Sequence, residues 1–525
     1  VTNSTFFNNS AAGGGGIFNN FNGTLTVTDS TFSNNSASSD NGGGILNAGT
    51  LNVSNSTFSA NSANFGGGIF NFNAGTLNVS NSTFSTNSAS AGGGGGIYNG
   101  FIATLNVSNS TFSNNSANGS LGGGGIFNDE GTLNVTNSSF SGNSAPFGGG
   151  IRIGGGTATL NNTLIANSIS GGDCVTSVSL SGANINNLIE DSTNACGLVN
   201  GVNGNIIGSD PNLGALTGSP AYFPLNPGSL AIDAGDDPTC AAAPVNNQSQ
   251  NGATRPQDGD DADSIATCDI GSYEAIFPKL TATKTNTVGG VITLGNSFTW
   301  TVTVANTGIG GATFAVGQTI LRDDLPAGAT YGAPTVQNLV GVSGSGSITC
   351  NMTSNVLICY AGGGPVTLGA TTGQFDVVFS VTPTAAGALT NPASGGVCRA
   401  DPFGAIAESS ESNNDCTPNT VTVDGIPDLT AAKRNNTSGA ITLGNAFTWT
   451  VTVANSGPAA ATFASGQTIL RDNLPGGPSY GAPTVQNLVN VSGSGSITCH
   501  ITFSMLTCTA SGRSVTLGAT TGAFD

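Results

Sequence analysis

The sequence predicts an all-β chain: a right-handed parallel β-helix followed by two copies of an antiparallel β-sandwich module. Three observations lead there. A unit of 26 or 28 residues recurs through the first 170 positions, its Phe standing at Phe6, Phe32, Phe58, Phe84, Phe112 and Phe140. Each unit breaks into short alternating segments with no 3.6-residue period. Much later, residues 280–376 recur as 429–525 at a constant offset of 149. Gly is abundant, at 80 residues, which disfavours helices throughout.

The repeat reads roughly G-G-G-I-F-N, then G-T-L-N-V-S-N-S-T-F-S-N-N-S-A. Besides Phe it carries Leu25, Leu51, Leu77, Leu105, Leu133 and Leu160, and Ile17, Ile45, Ile69, Ile97, Ile126 and Ile151. One such coil cannot bury its apolar side chains alone. Stacked coils can, each strand pairing with its equivalent about 4.8 Å along the axis. Like residues then form columns, with Phe, Leu and Ile inside and Asn at the corners. Asn tolerates the left-handed backbone that a sharp corner needs, and its amide can bond up the column. About six coils are expected over 1–170. A leucine-rich repeat is the rival, but it needs a different Leu/Asn signature and helical backs.

Residues 171–276 form a capping region. It contains Ile206-Ile207-Gly208-Ser209-Asp210-Pro211, then Pro227-Gly228-Ser229-Leu230-Ala231-Ile232-Asp233-Ala234-Gly235, then Arg255-Pro256 and Cys268-Asp269-Ile270-Gly271-Ser272-Tyr273-Glu274. This order of motifs resembles bacterial β-helix proteins of the choice-of-anchor Q type, related in their repeats to polymorphic outer-membrane proteins. The resemblance covers residues 1 to about 276. It implies a pectin-lyase-like helix on a secreted or surface protein, and no catalytic residues. Within the cap, Asp258, Asp260, Asp261 and Asp263 crowd together. Such a loop can hold Ca²⁺. No bidentate Glu follows at the EF-hand spacing, so a solvated acidic turn is the competing reading.

Residues 277–424 and 425–525 are the two sandwich modules. In the first, Phe298, Trp300, Val302 and Val304 alternate with hydroxyl residues, the mark of a half-buried antiparallel strand. Trp300 and Trp449 therefore read as core residues rather than sugar platforms. The segments Leu280-Thr281-Ala282-Thr283-Lys284 and Thr299-Trp300-Thr301-Val302-Thr303-Val304-Ala305-Asn306 resemble the Ig-like repeats of bacterial surface proteins. Ala407-Glu408-Ser409-Ser410-Glu411-Ser412-Asn413-Asn414-Asp415 resembles the end of the bacterial cell-adhesion-related domain. These resemblances imply a stalk or adhesion module. Some bacterial surface sandwiches cross-link an early Lys to a late Asn. Lys284 and Lys433 occupy that early position, and Asn419 is the candidate partner of Lys284, with a free surface Lys as the alternative.

The ten cysteines fall in even groups. Cys174, Cys196, Cys240 and Cys268 lie in the cap, Cys350, Cys359, Cys398 and Cys416 in the first module, Cys499 and Cys508 in the second. Even counts favour disulfides and an oxidising compartment. Expected pairs are Cys350–Cys359 across a hairpin, Cys499–Cys508 and Cys398–Cys416. The cap pairing stays open. No C-x-x-C appears, which argues against zinc.

Only 7% of residues are charged, and the net charge is −18. Ordinary globular proteins carry roughly 25%. So few cations argue against nucleic acid and against anionic membrane surfaces. No apolar run is long enough for a membrane-spanning helix. The chain starts in phase with an internal repeat and stops partway through a copied module, so a fragment is expected.

Many β-helices cleave polysaccharides, as lyases or glycosidases, and such chemistry needs paired carboxylates or a base with acids. The first 170 residues offer only Asp29, Asp40, Asp129, Glu130 and Arg152. Asp29 replaces the Asn of Asn55, Asn81, Asn109 and Asn137; the other acids fall in variable turns, and Arg152 stands two coils or more from most of them. His500 is the only histidine, and its counterpart is Asn351. The expected function is therefore a non-catalytic structural or adhesive protein outside the cell or on its surface, with glycans or surface proteins as partners and no resident cofactor. A polysaccharide-degrading lyase or glycosidase, and a passive spacer for activity lying elsewhere, are the alternatives. The many N-x-S/T matches follow from composition alone.

Overall fold

The computed structural model describes residues 1–259 and 265–525. It divides into two compact units. One holds residues 1–279 with 308–311 and 407–411; the other holds 280–307, 312–406 and 412–525.

The first unit is a parallel β-solenoid of about 7 turns. Each repeat lays down the same strands. The T-F-S strands run Thr5–Phe7, Thr31–Ser33, Thr57–Ser59 and onward as a nine-stranded sheet. The T-L-N-V-S strands, Thr24–Thr28 to Thr157–Asn161, make a six-stranded sheet. The I-F-N strands, Ile17–Asn19 to Cys174–Thr176, make a seven-stranded one. Pairing is parallel and in register, Phe32 opposite Phe58 and Leu51 opposite Leu77. Leu164–Ala166 adds a turn beyond the six expected, because Ile165 stands where the repeat has Phe140.

The columns predicted from the repeat are present. Phe32, Phe58, Phe84, Phe112 and Phe140 are fully buried. Their rings stack at 4.7, 4.8, 4.9 and 4.5 Å with planes within 7° of parallel. Asn runs up the inside as well. Asn35 Nδ2 donates to Asn61 Oδ1, Asn61 to Asn87, and Asn87 to Asn115, each at 2.9 Å. A second buried ladder links Asn19, Asn47, Asn71, Asn99 and Asn128 at 2.7–2.8 Å. Buried amides are tolerated because every rung satisfies the next. At the corner, Asp29, Asn55, Asn81, Asn109, Asn137 and Asn162 all adopt positive φ, between 44° and 50°. Asp29 thus fills a backbone role that Asn fills elsewhere.

The second unit consists of antiparallel sheets. In the first copy, Phe298–Asn306 pairs with Leu280–Asn286 on one side and Gln374–Pro383 on the other. A second sheet orders Ser347–Thr353, Val356–Gly362, Thr319–Asp324 and Cys398–Ala400. Gly387–Asn391 and Asn419–Asp424 pair in a third. Trp300, Phe314, Phe375 and Phe379 fill the core. The second copy builds the equivalent strands Leu429–Asn435, Trp449–Asn455 and Thr468–Asn473 around a smaller core of Val453, Leu517 and Phe524.

Candidate binding face

Every T-L-N-V-S strand turns Leu and Val inward and Thr, Asn and Ser outward, because side chains alternate along a strand. Stacking six of them in register makes a flat polar array. Its central column is bonded side chain to side chain: Asn78 Nδ2 to Asn52 Oδ1, Asn106 to Asn78, and Asn134 to Asn106, each at 2.8 Å. Thr50, Thr76, Thr104 and Thr132 line one edge; Ser54, Ser80 and Thr136 line the other, where Ser108 is buried. Thr26 and Thr159 continue the central column at its ends. The loops leading into these strands carry Phe21, Phe72 and Phe101; Phe21 and Phe101 are more than half exposed.

The T-F-S face is closed. Residues of the cap return along it. Thr83 Oγ1 donates to the Ala221 carbonyl at 2.6 Å, and Thr111 Oγ1 to Gln250 Oε1 at 2.6 Å. Ser272 N donates to Ser139 Oγ at 2.9 Å. The cap motif explains itself as a clamp. Arg255, fully buried, donates to the carbonyls of Asp269 and Gly271 at 2.7 and 2.8 Å and meets Glu274 Oε2 at 3.1 Å. Asp269 accepts from Asp233 N at 2.9 Å, and Glu274 accepts from Gln257 N at 2.8 Å and Asp269 N at 3.0 Å. Burial pushes Asp269 up to about 8 and Glu274 up to about 7, with Arg255 opposing. All three groups are consumed in holding the loops together.

Of the acidic loop, Asp258 lies among the described residues, next to Gly259, whose N–H donates to Asp233. Asp260, Asp261 and Asp263 lie outside the described residues. Among the described residues no three His, Cys, Asp or Glu side chains converge as a metal site. A shallow depression gathers Asp173, Glu190 and Asp191. Their carboxylates cap backbone N–H groups of Ser168, Asp191, Asn167 and Thr193. Sequence reasoning passed over it, as the repeat has already faded there.

Two of the candidate catalytic residues are bonded to other side chains. Asp129 accepts from Tyr98 OH at 2.6 Å, and Arg152 donates to Ser177 Oγ at 2.7 Å. Arg152 stands opposite Phe127, one turn from Asp129 and Glu130. Asp29 lines a depression with Thr31, Asn55, Thr57 and Pro220 and no second acid. The sequence reading also missed an aromatic column on the I-F-N strands, whose middle positions Phe70 and Tyr98 stack at 4.7 Å. The residue after each Ile was its signal.

In the second unit, Trp300 is fully buried and donates from Nε1 to Asn419 Oδ1 at 2.9 Å. Asn419 also accepts from Asn286 Nδ2 at 2.8 Å. It is therefore not the partner of Lys284, whose ammonium meets Asp323 at 2.8 Å. The expected cross-link pair is corrected accordingly: Lys284 faces the core and Asn419 caps the indole. Five disulfides join Cys174–Cys196, Cys240–Cys268, Cys350–Cys359, Cys398–Cys416 and Cys499–Cys508. They suit an oxidising compartment. Among the described residues no helix is long and apolar enough to cross a membrane.

No protein-family model matches the chain. No curated protein matches it either. Among solved structures it is similar to the CARDB domain of the PF1109 protein from Pyrococcus furiosus, in complex with di-metal ions. That similarity has 16% identity and a TM-score of 0.15, over 28% of this chain and 94% of that one. It is also similar to AvmM, which catalyses macrocyclization in alchivemycin A biosynthesis, with 11% identity and a TM-score of 0.14, over 28% and 87%. Scores this low carry no argument about this protein.

Proposed function

We propose that this is a non-catalytic, secreted or surface-displayed adhesive protein. Its β-helix is a stiff rod that binds glycans, and its antiparallel copies are Ig-like sandwich modules serving as a stalk. The observation that supports this most is the open Thr/Asn/Ser array with its bonded Asn52–Asn78–Asn106–Asn134 ladder. Repeated amides and hydroxyls match the repeated hydroxyls of a polysaccharide, and Phe21 and Phe101 add apolar faces for sugar rings. The cap motifs support membership of the choice-of-anchor Q type, and the disulfides support an extracellular location.

The test exposes the full chain to immobilised neutral and acidic polysaccharides, with and without Ca²⁺, measuring retained protein and polymer length. Retention without shortening is expected. The double variant Asn78→Thr/Asn106→Thr is expected to weaken retention several-fold while keeping the fold, because Thr26 and Thr159 already occupy that column. Shortened polymer would overturn the non-catalytic reading, and equal retention by the variant would remove this face from it.

A further inference from the structure

The core of the first antiparallel copy holds three polar side chains among apolar neighbours. Lys284, Asp323 and Asn391 come from Leu280–Asn286, Thr319–Asp324 and Gly387–Asn391, strands of three different sheets. Lys284 Nζ donates to Asp323 Oδ1 at 2.8 Å, both side chains being 0% exposed. The other oxygen of the same carboxylate, Oδ2, accepts from Asn391 Nδ2 at 3.0 Å. Asn391 is fully buried, and its Oδ1 has no hydrogen-bond partner among the described residues. A lone ion pair in so dry a place is poorly compensated, and so is an amide with an idle carbonyl.

We propose that Lys284 and Asn391 are joined by an isopeptide bond, with Asp323 as the acid–base group that makes it. Asp323 takes a proton from the Lys284 ammonium, leaving an amine that shares the Asp323 carboxylate with the Asn391 amide. Nζ bonds to Asn391 Cγ, and the Cγ–Nδ2 bond breaks. One of the two protons lost by Nζ passes through Asp323 to the departing nitrogen. The other leaves with it, so that ammonium is released and Asp323 returns to carboxylate. No oxidant or cofactor is required. Burial favours the neutral partners: it lowers Lys284 to about 8 and raises Asp323. The product replaces a buried ion pair with a neutral amide and ties the opening strand to one that comes more than a hundred residues later.

The second copy has Lys433 and Asp472 at 2.6 Å, partly exposed. The counterpart of Asn391 would be residue 540 (391 + 149), outside the 525 residues given. Among the described residues one complete triad is present. The inference is independent of the glycan-binding reading.

The test is the intact mass of the purified 525-residue chain after full disulfide reduction. A deficit of one ammonia is expected, together with a digest fragment linking the Lys284 and Asn391 peptides. Lys284→Arg, Asn391→Ala and Asp323→Ala are each expected to restore the full sequence mass, and Lys433→Arg to leave the deficit in place. Full mass in the folded wild-type chain would overturn the proposal, a reading that needs no variant to fold. Loss of one water, with Lys284 linked to Asp323, would overturn it too.

Discussion

The two antiparallel copies share most of their sequence yet bury it to different depths. Trp300 is fully buried, whereas Trp449 is partly exposed and its ring lies 4.2 Å from Lys433 Nζ. The side chains of Lys284 and Asp323 are 0% exposed, but those of Lys433 and Asp472 are 32% and 21% exposed. In the first copy Asn419–Asp424 and Gly387–Asn391 supply Asn419 to the indole and Asn391 to Asp323. The second copy has no such strands within the given sequence. Among the described residues the same Lys–Asp pair is a dry core cluster where those strands cover it, and a partly exposed ion pair where their counterparts would lie past residue 525. Burial, rather than residue type, sets its chemistry.

The largest contrast is expected at the tryptophans. Trp300→Ala should cost about 3–5 kcal/mol, as for other buried aromatics. Trp449→Ala should cost clearly less, and denaturant unfolding followed on the remaining tryptophan and by circular dichroism would measure both. Equal losses would break the comparison. At the acids, Asp323→Ala should destabilise its copy by about 3–5 kcal/mol, by leaving a buried charge unpaired. Asp472→Ala should cost only about 0–1 kcal/mol, since water already screens the pair; chemical denaturation curves for the two variants decide it.

The hairpin bridges sharpen the comparison from the other side. Cys350–Cys359 and Cys499–Cys508 have the same separation of 9 residues. Removing either as a double Ser variant should cost about 2–3 kcal/mol by the loop-entropy argument, alike in both copies. A pH effect belongs to the solenoid cap. Asp269 and Glu274 keep their protons to higher pH when folded than when unfolded, for which 3.8 and 4.5 are the ordinary values. The folded cap binds more protons, so its stability should fall as pH rises from about 4 toward 8. A thermal melt of the solenoid transition should show a lower midpoint at pH 8 than at pH 5, and Glu274→Gln should flatten the slope.

Much of this was legible in the sequence. The period alone placed Phe32 on Phe58 and Asn61 on Asn87, since stacked identical coils leave their side chains no other neighbours. The turn at Leu164–Ala166 was passed over because Ile165 breaks the Phe signature while keeping its volume. Lys284 was singled out, with Asn419 as a candidate partner or a free surface position as the alternative; it is buried and paired with Asp323 instead. Nothing in the chain order marks Asp323, 39 residues on, as its neighbour rather than Asn419.

By itself, then, the sequence determined the coil, its columns, its corners and the pairing of short-range cysteines. All of these follow from local periodicity and from contacts between equivalent positions. Only the tertiary structure decided which polar residues meet inside. It closed the T-F-S face with the cap and left the T-L-N-V-S face open. It also set Arg255 against Glu274, and Lys284 against Asp323 and Asn391. Those contacts join strands and loops that are unrelated by the repeat, and the low dielectric that gives them their chemistry exists only once the core around them has closed.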